Sequence, residues 1–472
     1  MKKRTIFIRI ALFCIGLLLL LVYFTQVFKD KRVEGEYNVT TKVRGFYEEE
    51  KNSLDYLFLG SSQLYSHIAP GVLWKEYGAT SYDFAANEQP LWITYYYLKE
   101  ALKTQRPKVI VLEVFTVYAD EFEDEGVNHI NLDDLPFSVN KIMAIRDSVP
   151  RDQQYSFYFE LAKYHSTWSG YYPEKYKQSF VYEKDPLKGY SPFVFARTYE
   201  DSAKAEVKNV SQVTPIAPKS KEWLLNIIEL AKDEEIPILL LKTPNGNAER
   251  QSLYLDVEKI ANEENVPFLN LNEILDGEAH VNVIQAEKIT KYVGEYLTQK
   301  YPVKDKRSDN AYEEWNTDSE RFYRYLAKCE LANAVTLEDY MRALRNNRYI
   351  VACSGYGKMP SELQAFGMLG ESVSTNDINV NEHYYISVFD GENVLLETID
   401  DAPIEERILV NEAEYLISAA KDESQAPKFK IMCNNVDYSI NTNGYNLFIF
   451  DPVLKEPIEM IAIDEEGNFL RR

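Results

Sequence analysis

The chain has 472 residues, of which 45% are hydrophobic and 13% aromatic, and a formal net charge of −22. This length and apolar content support two or three globular domains and argue against disorder. The negative charge opposes phosphate backbones, which excludes nucleic acid as a partner, and it disfavours broad contact with anionic lipid headgroups.

The N-terminus differs from the rest. Lys2, Lys3, Arg4 and Arg9 precede Ile10–Phe28, which contains no charged residue. Extended by Thr5–Ile8, this run is long enough to cross a bilayer as a helix. It ends without a small-x-small cleavage site, so residues 1–28 are expected to form an uncleaved signal anchor. Lys29, Lys31 and Arg32 follow the span and weaken the charge bias. A single-pass protein of the cell membrane is expected, with a cytoplasmic N-terminus and an extracytoplasmic body. The polar residues 29–52 read as a stalk.

A β-α alternation follows. Short apolar strands are expected at Asp55–Leu59, Ser81–Ala85, Lys108–Val114, Ile236–Lys242 and Pro267–Leu271. Helical patterns cover Pro90–Lys103, Lys219–Lys232, Ser252–Glu264 and Gln285–Gln299. Five apolar strands separated by helices predict an α/β domain over residues 53–300 with a parallel sheet covered on both faces. An insertion at about 116–218 breaks the rhythm, since roughly 120 residues separate the third strand from the fourth. Its acidic start (Asp120, Glu121, Glu123, Asp124, Glu125, Asp133, Asp134) fits a solvated surface, a cation site or one rim of a cleft.

Charged residues 301–317 read as a linker. Beyond them, residues 318–472 predict a smaller α+β domain. Two helices are expected at Asp318–Cys329 and Leu337–Arg345, the second opened by Thr336 with Asp339 three residues on. Strands are expected at Tyr349–Ser354, Tyr384–Phe389, Val394–Ile399, Tyr415–Ala419, Phe429–Cys433, Asn446–Phe450 and Glu459–Ile463. Of the four cysteines, Cys14 lies in the span and Cys329, Cys353 and Cys433 in the last third. No CxxC occurs, so neither a zinc site nor a disulfide framework is indicated, and a single bridge in the C-terminal part is left open.

Three places carry chemistry. Gly60-Ser61-Ser62 ends the first strand and puts a hydroxyl at the carboxyl edge of the sheet, where helix N–H groups can stabilise an oxyanion. The same tripeptide also serves as a plain turn with a helix cap. Asn87 follows the second strand and offers a side-chain amide to the same edge. His280 lies between the last strand and the last helix, four residues after Asp276. A histidine with an acid beside it is the general base of an acyl-transfer triad.

Together, Gly60-Ser61-Ser62, Ser81–Asn87 and Asp276–His280 resemble the successive blocks of the SGNH/GDSL hydrolase superfamily, and its membrane-anchored DltD-like branch in particular. The likeness extends to Pro90-Leu91-Trp92, Pro107–Glu113 and Ala286–Tyr292. It implies a flavodoxin-like three-layer α/β/α sandwich. It also implies Ser62 as nucleophile, His280 as base and Asp276 as its acid, with the Ser62 N–H and the Asn87 amide as oxyanion donors. The family spaces acid and histidine as Asp-x-x-His. Here one more residue intervenes, which makes Glu278 the alternative acid, and the Gly-x-Asn-Asp oxyanion block is absent.

Residues 308–472 resemble an ILEI/PANDER-like domain through Thr336–Tyr340, Tyr349–Val351, Ser361–Leu363 and Asn443–Asp451. That resemblance implies an accessory module that binds a glycan or a partner. The expected whole is a membrane-tethered serine esterase or O-acyltransferase acting on acyl esters of cell-envelope glycans. It needs no metal or organic cofactor, and transfer would depend on a separate multi-span membrane acyltransferase as acyl donor. The alternative is a non-catalytic SGNH-fold assembly or glycan-binding protein.

Overall fold

The computed structural model describes residues 2–33, 38–121, 124–170, 176–194, 210–245, 250–275, 280–360, 363, 383–464 and 468–471. They divide into two units, Met1–Phe322 and Tyr323–Arg472.

The first unit is built on one parallel sheet of β1 (Tyr56–Leu59), β2 (Ser81–Asp83), β3 (Val109–Glu113), β4 (Ile238–Lys242) and β5 (Phe268–Asn270), in the order β2-β1-β3-β4-β5. β1, β3 and β4 are buried along their whole length. That double burial is why they appear in the sequence as unbroken apolar runs rather than alternations.

In chain order the helices of this unit begin with α1 (Lys2–Phe28) and α2 (Val39–Tyr47). α3 (Ser62–His67) and α4 (Pro70–Tyr77) follow β1, and α5 (Leu91–Ala101) follows β2. The insertion holds α6 (Glu125–Leu132), α7 (Val139–Ser148), α8 (Gln154–Tyr158) and α9 (Glu160–Tyr164). α10 (Pro218–Asp233), α11 (Gln251–Glu264) and α12 (Val283–Lys300) follow. α10 starts on a proline, whose fixed φ suits a first helical turn. It buries Ser220, Leu224, Ile227, Ile228 and Ala231, the stripe that a 3.6-residue period dictates. α12 lies so close to α4 that a Cβ on Gly294 would stand 2.4 Å from the Tyr77 ring.

α1 is apolar enough over Arg4–Phe28 to cross a membrane. Residues 29–33 and 38–52 do not form the expected stalk. Lys29 and Lys31 are buried. Val39, Val43 and Phe46 of α2 sit in the same core as Leu57 and Leu59 of β1. The polar composition misled because its charges are paired inside. Thr40 Oγ1 donates to Asp134 at 2.7 Å, and Arg44 Nε to the same carboxylate at 3.1 Å.

Residues 301–317 also belong to the first unit rather than to a free linker. Lys306 Nζ reaches Asp55 at 2.7 Å, and Trp315 packs on Trp74 with ring centroids 5.6 Å apart.

The second unit contains most of α13 (Glu313–Asn333), α14 (Leu337–Asn346) and two antiparallel sheets. The larger sheet orders β15-β14-β13-β6-β7-β8, and the smaller orders β12-β11-β10-β9. In sequence order these strands are β6 (Ile350–Tyr356), β7 (Tyr384–Phe389), β8 (Val394–Asp400), β9 (Ile404–Val410), β10 (Ala413–Ala419), β11 (Lys430–Cys433), β12 (Val436–Asp437), β13 (Tyr445–Asp451), β14 (Glu456–Ile463) and β15 (Phe469–Arg471). Strand alternation sends Val351 and Cys353 into a core with Tyr340 and Leu344 of α14. It sends Ile350 and Ala352 into a second core with Tyr415 and Ile417 of the smaller sheet.

Thr336 caps α14 by accepting from Asp339 N at 3.1 Å, as its spacing predicted. β9 was not foreseen. It is an edge strand with Glu405, Glu406 and Arg407 exposed, so charge hides its strand character. The bridge left open in this part is not formed. Cys353 and Cys433 are free thiols in the two different cores.

Candidate active site

The order of the parallel sheet reverses between β1 and β3, and in open α/β sheets ligands bind at the carboxyl ends beside such a switch. Ser62 stands there. The chain leaves β1 through Gly60, whose φ is +157° and where a Cβ would lie 2.7 Å from Glu113 Cβ. Only glycine lets the turn pass so close to β3. Ser61 then caps α3, its hydroxyl accepting from Gln63 N at 3.3 Å. Ser62 is thereby fixed as the first residue of the helix.

His280 meets it from the other end of the sequence, with Nε2 3.0 Å from Ser62 Oγ. Two features orient the ring. It stacks on Phe193, with centroids 5.0 Å apart and planes 2° from parallel. Asn282, two residues on, caps α12 by accepting from Gln285 N at 3.0 Å. Burial lowers the His280 pKa from the ordinary 6.5, which favours the neutral imidazole that a general base requires. The two acids expected beside it, Asp276 and Glu278, lie outside the described residues.

Asn87 lines the same cavity as Ser62 and His280. Its Oδ1 accepts from Tyr65 OH at 2.6 Å, and Asn131 Nδ2 donates to its backbone oxygen at 2.8 Å. The first bond fixes the amide orientation, so the Nδ2 hydrogens are what Asn87 has left to donate. The cavity encloses about 480 Å³ and is also lined by Gln63, Glu88, Phe115, Tyr118 and Arg250. The Arg250 guanidinium lies over the Tyr118 ring at 3.8 Å and the Phe115 ring at 5.1 Å, which holds it flat.

Behind Ser62 lies a buried ionic group that the sequence reading did not single out. Lys242 Nζ donates to Gln63 Oε1 at 2.6 Å and stands 3.8 Å from Glu113 Oε1. Glu113 accepts from Ser61 Oγ at 3.3 Å and from Phe115 N at 2.8 Å. Burial pushes the Glu113 carboxyl up to about 7 and the Lys242 ammonium down to about 7, each partly opposed by the other's charge. A signal was present. The unbroken apolar runs of β3 and β4 both end on a charge, and parallel pairing brings those ends together.

His67 is fully buried, with Nε2 2.9 Å from Pro244 O and Nδ1 against Gln63 O. Burial and the Lys242 charge lower its pKa to about 3, so it stays neutral and structural.

Part of the acidic cluster of the insertion is structural as well, while Asp120 and Glu121 are exposed and Glu123 lies outside the described residues. Asp124 caps α6, accepting from Val127 N at 3.0 Å. Asp133 and Asp134 are paired inside with His129, Lys29 and Arg44. No group of three or more His, Cys, Asp or Glu placed to hold a metal occurs among the described residues.

No family model matches the chain, and no curated protein matches it.

Proposed function

We propose that this is a membrane-tethered serine esterase or O-acyltransferase of the SGNH/GDSL type, acting outside the cytoplasm on acyl esters of cell-envelope glycans. The observation that carries the reading is the 3.0 Å contact between Ser62 Oγ and His280 Nε2 at the wall of a cavity. The strand order β2-β1-β3-β4-β5 supports a flavodoxin-like sandwich for the first unit.

His280 takes the Ser62 proton as Oγ attacks the acyl carbon, and the carbonyl oxygen becomes a tetrahedral oxyanion. The Asn87 amide and the Ser62 N–H stabilise that charge. Collapse breaks the ester C–O bond, and His280 returns the proton to the leaving alcohol. Water or an acceptor hydroxyl then repeats the steps on the acyl-serine, giving hydrolysis or transfer. Asp276, or Glu278, orients His280. In the transferase case the acyl group comes from a multi-span membrane protein, and the second unit acts as an ILEI/PANDER-like module that holds the glycan.

A serine-reactive fluorophosphonate applied to the full chain in detergent tests the reading. Labelling of the wild type that disappears in Ser62→Ala supports it. Labelling that persists unchanged in Ser62→Ala removes Ser62 as nucleophile, and an unlabelled wild type favours the binding-protein alternative.

A further inference from the structure

The insertion carries an apolar surface that the catalytic reading does not use. Phe137 is 78% exposed, Val139 74%, Tyr155 64% and Phe159 70%. Tyr158 and Ile142 add to it at 38% each. Outside α1 and the stretch from 137 to 182, the described part of the first unit exposes only Val213, Ile274 and Tyr292 among its large apolar side chains. Apolar exposure concentrated in this way marks an interaction surface.

Its neighbour in the fold says what covers it. Counted from Arg9, the last basic residue before the uncharged run, about 20 residues cross a hydrocarbon core of roughly 30 Å. The far boundary then falls at Tyr23–Phe28. That end of α1 is gripped by the insertion. Tyr23 stacks on Phe180 at 5.8 Å, and its hydroxyl lies 3.2 Å from that of Tyr176. Thr167 donates to Phe28 O at 2.6 Å. Lys29 Nζ is 3.5 Å from Glu160, the residue after Phe159. Lys141 of α7, two residues after Val139, donates to the same Glu160 at 2.7 Å. The exposed side chains therefore flank the groups that fix the end of the span, at the depth where amphipathic aromatic residues meet the membrane surface.

We propose that the α7–α9 part of the insertion lies in the bilayer interface, with Phe137, Val139 and Phe159 buried among the lipids beside the transmembrane helix. The contact is apolar, because the chain's net charge of −22 gives it no overall attraction for anionic headgroups. It is independent of any catalysis at Ser62.

The test uses the full chain in phosphatidylcholine vesicles, with Cys14→Ala as background and the other three cysteines buried. Nitroxide labels are placed at Phe159→Cys and Val139→Cys. A third at Lys259→Cys serves as control, because the Lys259 side chain is 67% exposed on α11. Collisions with oxygen should exceed those with a water-soluble nickel complex at 139 and 159, and the ratio should invert at 259. The pattern should hold at high salt. Labels at 139 and 159 that behave like the control overturn the proposal. Labels shielded from both reagents do so too, since they would report a protein contact, and a pattern abolished by salt would assign the contact to charge.

Discussion

Ser62 meets His280 at 3.0 Å, and in the insertion Ser156 meets His129 at 3.2 Å. The second pair also carries an acid, with His129 Nδ1 2.8 Å from Asp133. Among the described residues, and by distance alone, the insertion shows a serine, a histidine and an acid in line. Its surroundings give it a different task. Ser156, His129 and Asp133 are 2%, 1% and 2% exposed, and Phe157 covers the imidazole face at 3.8 Å. Ser156 Oγ already has fixed acceptors in Gln153 O at 2.8 Å and Glu125 at 3.0 Å. Asp133 also accepts from Tyr164 OH at 2.5 Å, while its backbone oxygen receives Lys29. That set is a structural joint. Ser62 differs in lining a cavity at the carboxyl edge of a parallel sheet, where an acyl group has room to enter. A triad is defined by roles, and access is one of them.

Exchanging the two serines should separate the pairs most sharply. Ser62→Ala should lower aryl-ester turnover by roughly 10⁴-fold or more, the loss expected when a nucleophile is removed. Ser156→Ala should leave turnover unchanged. Equal loss in both variants would end the distinction drawn above.

Asn87→Ala should cost about 10²- to 10³-fold in kcat, with KM little affected, as removal of one oxyanion donor does. A loss seen only in KM would instead make Asn87 a substrate-binding group.

His129→Ala should destabilise the protein by about 3 kcal/mol, since it removes one partner of the buried Asp133 carboxylate and the ring that stacks on Phe157. Thermal unfolding in detergent reads this effect, and fluorophosphonate labelling per folded molecule should not change. His280→Ala should show the reverse, with labelling lost and unfolding nearly unaltered.

The smallest effect concerns pH. Burial holds the His280 pKa below 6.5, and only the neutral ring accepts the serine proton. Turnover should therefore fall as pH drops through the His280 pKa. Turnover with no acid limb would contradict the assigned base.

Much of the site was legible in the sequence because it hangs on local signals. Gly60-Ser61-Ser62 after an apolar run, and His280 ahead of a capped helix, needed only the parallel sheet to bring them together. Phe193 and Arg250 were not legible, because each acts through neighbours remote in sequence, and the Glu113–Lys242 group showed only as the charges that end two apolar runs. Thr336 and Asp339 announced a cap that forms as expected. β9 gave no such notice, since an edge strand can display charge along its length. Lys29, Asp133 and Asp134 misled for the same reason in reverse. Composition treats a charge as a solvated group, and here the charges are inside and paired.

The packing of residues 39–47 against the sheet sets the working range of the molecule. A free chain over residues 29–52 would let the body roam on the order of 80 Å from its anchor. With residues 39–47 packed into the core, that reach is closed to them. On the proposed reading of α1 as an anchor, the encounter is set by the substrate's travel and not by the protein's.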